Sequence, residues 1–428
     1  MVPPHVIGAV SGTLPTLVLE GSRRRAAVAF VFVTVLLDML AFGIVIPVLP
    51  HLVRGFIGGD TASAALVIGV FGSAFALAQF LASPVQGALS DRFGRRPVIL
   101  LSNTGLALDF VLMALANTVP LLFLGRVIAG ITAASVSTAN AYIADITPPE
   151  RRAGAYGFLG AAFGIGFVLG PALGGWAGSI DLRLPFWIAA GLAAANVCWG
   201  LFVLPESLPR ERRAPFRWRQ ASPVGSWRLV RAHPRVGGLV AAQVLSQFAH
   251  YVLPSTFVLY AFHRYGWGER EVGSVLALVG ISNALVQALL VGALVRRIGE
   301  APALLAGLVI GAAGFALMGL AATGPVFLAA IPLLALWGLA GPAAQALMTR
   351  RVGVDEQGRL QGAVTSFASA TGIVAPFLFA GAFAIGVRDG ARAELPGAAF
   401  LIAATLLVVA ALVGWRASRE QPPRTPAG

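Results

Sequence analysis

Apolar residues along this chain gather into long blocks, and the breaks between the blocks hold most of its charge. Each block is about as long as the roughly 20 residues a helix needs to cross 30 Å of hydrocarbon. A membrane barrel would instead show strands of about ten residues with strict alternation, and no such alternation occurs. The pattern predicts twelve spanning helices, at 27–50, 64–86, 97–117, 119–144, 154–178, 184–204, 236–261, 271–295, 302–322, 325–348, 360–386 and 396–415.

Composition supports the same class. Hydrophobic residues make up 57% of the 428 and charged residues only 11%, where a soluble domain carries about a quarter charged. Glycine (51) and proline (27) are abundant, as expected where helices pack closely in lipid and break near a pathway. Cys198 is the lone cysteine, so neither an internal disulfide nor a thiolate metal cluster can form. His5, His51, His233, His250 and His263 show no metal-ligand spacing. No phosphate-binding loop or nucleophile elbow appears. The chain reads as a non-enzyme with no metal and no cofactor.

The 31 basic residues are all arginine, and their placement gives a topology. Alternate breaks hold 24 of them, including Arg23 to Arg25, Arg92, Arg95, Arg96, Arg151, Arg152 and eight between 205 and 235. The opposite breaks hold six. The positive-inside rule then places both termini in the cytoplasm. The net charge of +13 is accounted for by topology and anionic-lipid contact, without a nucleic-acid partner. Residues 1–20 lack a charged leader and read as an extension, not a cleaved signal.

The two sets of six blocks are related. Gly87, Ala88, Leu89, Arg92 and Gly94 recur 205 residues later as Gly292, Ala293, Leu294, Arg297 and Gly299, and Gly157 and Pro171 recur as Gly362 and Pro376. An internal duplication divides the chain into an extension (1–25), a first half (26–204), a cytoplasmic linker (205–235), a second half (236–416) and a tail (417–428).

These residues resemble a known family. "GALSDRFGRRPVIL", with Gly87, Asp91, Arg92, Gly94, Arg95 and Arg96, looks like the signature loop of the major facilitator superfamily. "LLDMLAFGIVIPVLP", "GRVIAGITAASVSTANAYIADITPPERRAGAYG" and "GFLGAAFGIGFVLGPALGG" resemble the drug:proton antiporters of the tetracycline efflux type. The resemblance implies an all-α integral membrane protein of twelve helices in two pseudo-symmetric halves, the major facilitator fold. It also implies that Asp91, Arg92 and Arg95, with Asp145 at the end of the fourth helix, form a breakable charge latch between the halves. Arginines serving topology alone would give the same loop. Gly164, Gly166, Gly170, Pro171 and Gly174 match the antiport pattern of the fifth helix, although ordinary close packing asks for the same residues.

Of the 18 acids, only Asp38 and Asp109 lie well inside apolar blocks. A carboxylate in hydrocarbon is disfavoured by a few kcal/mol and needs a cavity or a partner. Low dielectric favours its protonated form, so such a group can take a proton on one side and release it on the other. A structural aspartate bonded to a neighbouring helix is the competing reading. The resemblance places Asp38 and Asp109 on the two embedded aspartates of the tetracycline antiporters, with Arg126 as a neighbouring cation and Gln79 and Gln287 near substrate. Asn140, Gln243 (the register mate of Asp38) and Asn283 add neutral polar groups. Two departures stand out. The best-known members carry a histidine where this chain has Asn283 and an aspartate where it has Gly311.

The expectation is a monomeric, proton-coupled exporter of a small amphipathic organic compound or antibiotic, in a bacterial inner membrane, driven by the proton motive force. Uptake by symport, or a receptor that keeps the fold without transport, are the alternatives.

Overall fold

The computed structural model describes residues 21–133, 135–147, 152–213, 234–351, 357–388 and 395–419. Among the described residues all regular structure is helical. The first half contains α1 (Gly21–Val45), α2 (Leu49–Phe56), α3 (Thr61–Phe93), α4 (Arg95–Leu115), α5 (Val119–Thr132), α6 (Ser135–Ile146), α7 (Arg152–Gly178) and α8 (Leu184–Val203). The second contains α9 (Pro234–His250), α10 (Val252–Tyr265), α11 (Glu269–Leu285), α12 (Gly292–Ile298), α13 (Glu300–Leu320), α14 (Gly324–Ala329), α15 (Ile331–Trp337), α16 (Ala340–Thr349), α17 (Gln357–Gly386) and α18 (Ala398–Arg419).

Among the described residues eleven helical stretches are long and apolar enough to cross a membrane, and the shorter apolar α5, followed by α6, falls in the fourth expected block. Several blocks that read as single helices are broken, and two of the breaks fall beside prolines. Pro47 and Pro50 flank the step from α1 to α2, and Pro332 starts α15. Proline removes a backbone donor and clashes with the preceding turn, so the hydrogen-bond ladder is interrupted at each of these two steps. Between α11 and α12 the chain widens into a π-helical stretch, Val286–Val291.

The duplication is visible in the backbone. Helices α4 and α13 each have 21 residues, and both begin and end 205 positions apart. Each follows a glycine with positive φ, Gly94 at +109° and Gly299 at +86°. A side chain is strained there, so the tight turn needs glycine in both halves. Pro171 and Pro376 likewise sit inside the long helices α7 and α17.

In lipid, helix association depends on packing, hydrogen bonds and small residues, because lipid tails are as apolar as leucine. Helix α7 follows that rule against α1. A Cβ at Gly166, Gly170 or Gly174 would come closer than 3.0 Å to the carbonyl oxygens of Leu36, Leu40 and Ile44 respectively. Glycine at every fourth position lets α1 lie directly on the backbone of α7. The halves meet along two seams, α3 with α17 and α7 with α11. In the first seam Gly69 and Gly72 face Pro376 and Ala380, and in the second Gly175 faces Glu269 and Gly273. These contacts lie toward the end away from the arginine-rich turns, and there the two halves are in direct contact.

Candidate functional site

The signature loop is mostly helix, with Gly94 as its one turn residue. That turn brings Arg95 back over the last turn of α3. Its Nη1 donates to Asp91 Oδ1 (2.5 Å) and Ser90 Oγ (3.1 Å), and its Nε donates to Asp145 Oδ2 (3.1 Å) at the end of α6. Asp145 also accepts from Ser207 Oγ at 3.1 Å. Glu206 Oε1 accepts from the backbone N–H of Arg95 (2.8 Å) and of Leu208 (3.0 Å), which places a carboxylate at the positive end of α4. Tyr142 Oη donates to the Pro205 carbonyl (3.0 Å), and Arg96 Nη2 to the Leu201 carbonyl (2.6 Å). Arg92 is exposed, with its guanidinium 5.1 Å from the Phe93 ring centre, and Gly87 faces open space.

The structure therefore unites Asp91, Arg95 and Asp145, and it adds Ser90, Glu206 and Ser207, which the sequence pattern did not single out. Among the described residues these bonds stay within the first half. The opening of the expected linker, 205–213, is a strap over the signature turn, while 214–233 lie outside the described residues. The "PES" following the sixth apolar block was the available signal, since an acid there faces a turn rich in arginine.

The second constellation is buried in the bilayer zone. Asp109, 0% exposed on α4, accepts from Arg126 Nη2 of α5 at 2.8 Å. Arg126 lies in the middle of α5 and is 8% exposed. Gly125 makes the approach feasible, because a Cβ there would stand 2.6 Å from Asp109 Oδ1. That oxygen and Arg126 Nε have no hydrogen-bond partner among the described residues. The pair is thus desolvated, and its polar atoms are only partly satisfied among the described residues. Such an arrangement is costly to break by removing one partner and sensitive to one added proton. Asp38, 6% exposed, is not part of this pair and lies on α1, the helix whose Leu36, Leu40 and Ile44 carbonyls meet the α7 glycines. Within that motif Gly166, Gly170 and Gly174 grip α1, whereas Gly164 faces open space.

The polar candidates are dispersed. Gln79 on α3 and Gln243 on α9 are half-buried. Asn283 and Gln287 are exposed around the π-helical stretch, where Gln287 Nε2 donates to the Gly338 carbonyl at 3.3 Å. The side chain of Asn140 lies outside the described residues. Gly311 has a physical reason to lack a carboxylate. A Cβ there would sit 2.7 Å from Trp337 Cγ, and that indole is fixed by its Nε1 donating to Ser246 Oγ at 3.0 Å. Trp337 fills the space an acid would need.

The family model described as Major Facilitator Superfamily matches residues 31–376 and 239–428. The chain belongs to the Major Facilitator Superfamily. It is 39% identical over 387 residues to the tetracycline resistance protein, class C, of Escherichia coli, covering 90% of this chain and 96% of that protein. Among solved structures, the human organic anion transporter MFSD10 (TETRAN) is 26% identical, with a TM-score of 0.66 over 91% of this chain and 99% of that one. A bacterial homologue of the human lysosomal transporter Spinster, inward-facing and unoccupied, shares the fold at 18% identity and a TM-score of 0.75, covering 94% and 98%. The chain is thus a multi-pass membrane transporter of this superfamily.

Proposed function

We propose that the chain is a proton-coupled exporter in a bacterial inner membrane that expels a tetracycline-like or other small amphipathic compound. It would act as a monomeric carrier, not an enzyme, with the proton motive force as its energy source and no cofactor. The observation that carries the reading is the buried Asp109–Arg126 pair, an ionisable group in the membrane with one strong partner and one carboxylate oxygen that has none among the described residues. The arginine-rich turns face the cytoplasm in this reading, by the positive-inside rule, so both termini are cytoplasmic. The end at which the halves touch is then the outer end.

The residues divide the work as follows. A proton on Asp109 cancels its charge and leaves Arg126 uncompensated, which changes the relative energy of two packings of α4 against α5. Asp38, on the helix gripped by α7, is the second acid within reach of the moving first crossing. Gln79, Gln243, Asn283 and Gln287, with Asn140, supply neutral groups for substrate. The Arg95 network biases the cytoplasmic end, and its release would accompany closure on that side. One proton entering down 100 mV supplies about 2.3 kcal/mol, enough to drive a compound outward against a severalfold gradient.

The test is a drug-susceptibility panel, tetracyclines included, in an efflux-deficient bacterium expressing the chain. Raised resistance to at least one compound, lost on dissipating the proton gradient, is the expected result. Unchanged susceptibility across the panel, with the protein present in the membrane, counts against export.

A further inference from the structure

Where crossings are broken, the breaks follow the 205-residue offset of the duplication. Helix α1 ends at Val45 and α9 at His250, α5 ends at Thr132 and α15 at Trp337, and α6 starts at Ser135 and α16 at Ala340. At equivalent places the first half thus has Val45 and Thr132, whereas the second has two aromatic rings. The His250 and Trp337 ring centres are 5.7 Å apart, with their planes tilted by 39°. His250 is at the midpoint of the crossing Val236–Tyr265, and Trp337 at that of Gly324–Thr349. His250 is exposed although protein surrounds it, so its ring lines a space inside the bundle. Tyr251, the next residue, marks which way that break faces. A Cβ at Gly372 of α17 would stand 2.5 Å from Tyr251 Oη and 3.3 Å from Ala76 Cβ on α3 of the other half.

The rings sit on a fixed support. Trp337 Nε1 donates to Ser246 Oγ at 3.0 Å, the Phe315 ring meets the indole edge-on at 5.5 Å, and Gly311 leaves it room from behind. A ring held in this way loses little freedom when a ligand stacks beside it. The backbone adds acceptors. Pro254 and Pro342 are each the third residue of the helix after the break, so neither has an N–H to return to the carbonyl four residues earlier, His250 and Gly338 respectively. Gln287 Nε2 donates to the Gly338 carbonyl at 3.3 Å, and an oxygen with two lone pairs can accept once more. Discontinuous helices with unwound carbonyls near the midplane are where transporters hold their cargo.

We propose that His250 and Trp337 form a stacking subsite of the transport cavity, which takes fused aromatic rings whose hydroxyl or amide groups donate to the His250 imidazole and the Gly338 carbonyl. The inference deepens the export reading and rests on it for what happens to the bound compound. It also gives the halves different tasks, with the buried acids Asp38 and Asp109 in the first and the aromatic support in the second. Aromatic stacking has a geometric preference that aliphatic contact lacks, so the subsite selects flat rings from other apolar molecules.

The experiment is equilibrium dialysis of the full chain in lipid nanodiscs against tetracycline, doxorubicin and erythromycin. The first two carry fused rings with hydroxyl donors, and erythromycin has no aromatic ring. The parent should bind at least one of the first two. His250→Ala and Trp337→Ala should each weaken that binding about tenfold, and Trp337→Phe should recover most of the loss because a ring remains. Thr132→Val, at the register mate of Trp337, should bind as the parent does. His250 is exposed, so its variant tests the subsite even if Trp337→Ala lowers the folded yield. Parental affinity in His250→Ala overturns the proposal, as does an equal loss in Thr132→Val, an equal loss of erythromycin binding in His250→Ala, or a parent that binds neither fused-ring compound. Binding that depends on His250 in a chain that exports nothing refutes only the export reading. Export with binding independent of His250 refutes only this subsite.

Discussion

Arg126 reaches from α5 to α4 and holds Asp109 at 2.8 Å, and Gly125, the residue before it, clears the space beside the second carboxylate oxygen. Two roles, structural strut and proton carrier, predict different mutant behaviour. Arg126→Ala leaves a buried carboxylate alone and should lower stability by about 3–5 kcal/mol, read as a drop in melting temperature in detergent. Adding Asp109→Asn to Arg126→Gln removes both charges and should recover much of that stability without recovering proton exchange. A double mutant that still exchanges protons would make the pair a strut.

Gly94 turns the chain between α3 and α4 while Glu206 fills the space a side chain would occupy. Gly94→Ala should cost about 1–3 kcal/mol from the strained φ and the clash. Glu206→Ala alone removes bonds to two backbone N–H groups and should also destabilise. Combined, the two should cost less than their sum, because truncating Glu206 removes the atoms the new methyl group would strike. Thermal unfolding of the three variants measures that coupling.

The α7 ladder makes a position-specific prediction. Gly170→Val or Gly174→Val should sharply reduce folded protein in the membrane by forcing α7 off the carbonyls of α1. Gly164→Ala, facing open space, should stay within about 0.5 kcal/mol of the parent. Fluorescence-detected size exclusion of the three variants separates these outcomes.

Asp60 caps α3, accepting from the N–H groups of Ala62 and Ser63 at 3.1 Å each. Hydrogen bonds from Ser63 hold its carboxyl below the ordinary value of 3.8. A depressed folded value means that the stabilisation is present above the unfolded value and fades as pH falls through the folded one. Asp60→Ala should therefore cost about 1 kcal/mol near neutral pH, and its melting-temperature deficit should narrow below about pH 4.

How far the sequence revealed this molecule depended on whether a feature was local. Gly94 and Gly299 were legible because a tight turn between long helices demands glycine, and the same offset of 205 reappears in α4 and α13. Asp109 stood out because an acid in an apolar block has few bland explanations. The role of Arg126 came from resemblance, and its place in the middle of α5 came from the structure. The contact of His51 on α2 with Glu269 on α11 was invisible because each lies at the edge of a block and their meeting depends on the packing of two halves. Glu206 was hidden by being assigned to a linker, although the strap it anchors folds onto the first half. The room that Trp337 takes from Gly311 likewise depends on three helices converging.

Proton flux in inverted vesicles tests the central claim most directly. Vesicles carrying the wild-type chain are energised to an acid interior, and the compound identified in the susceptibility panel is added outside. The account predicts an immediate partial collapse of the pH gradient, absent from Asp109→Asn vesicles with equal amounts of inserted protein. A collapse in Asp109→Asn vesicles at the wild-type rate would contradict it.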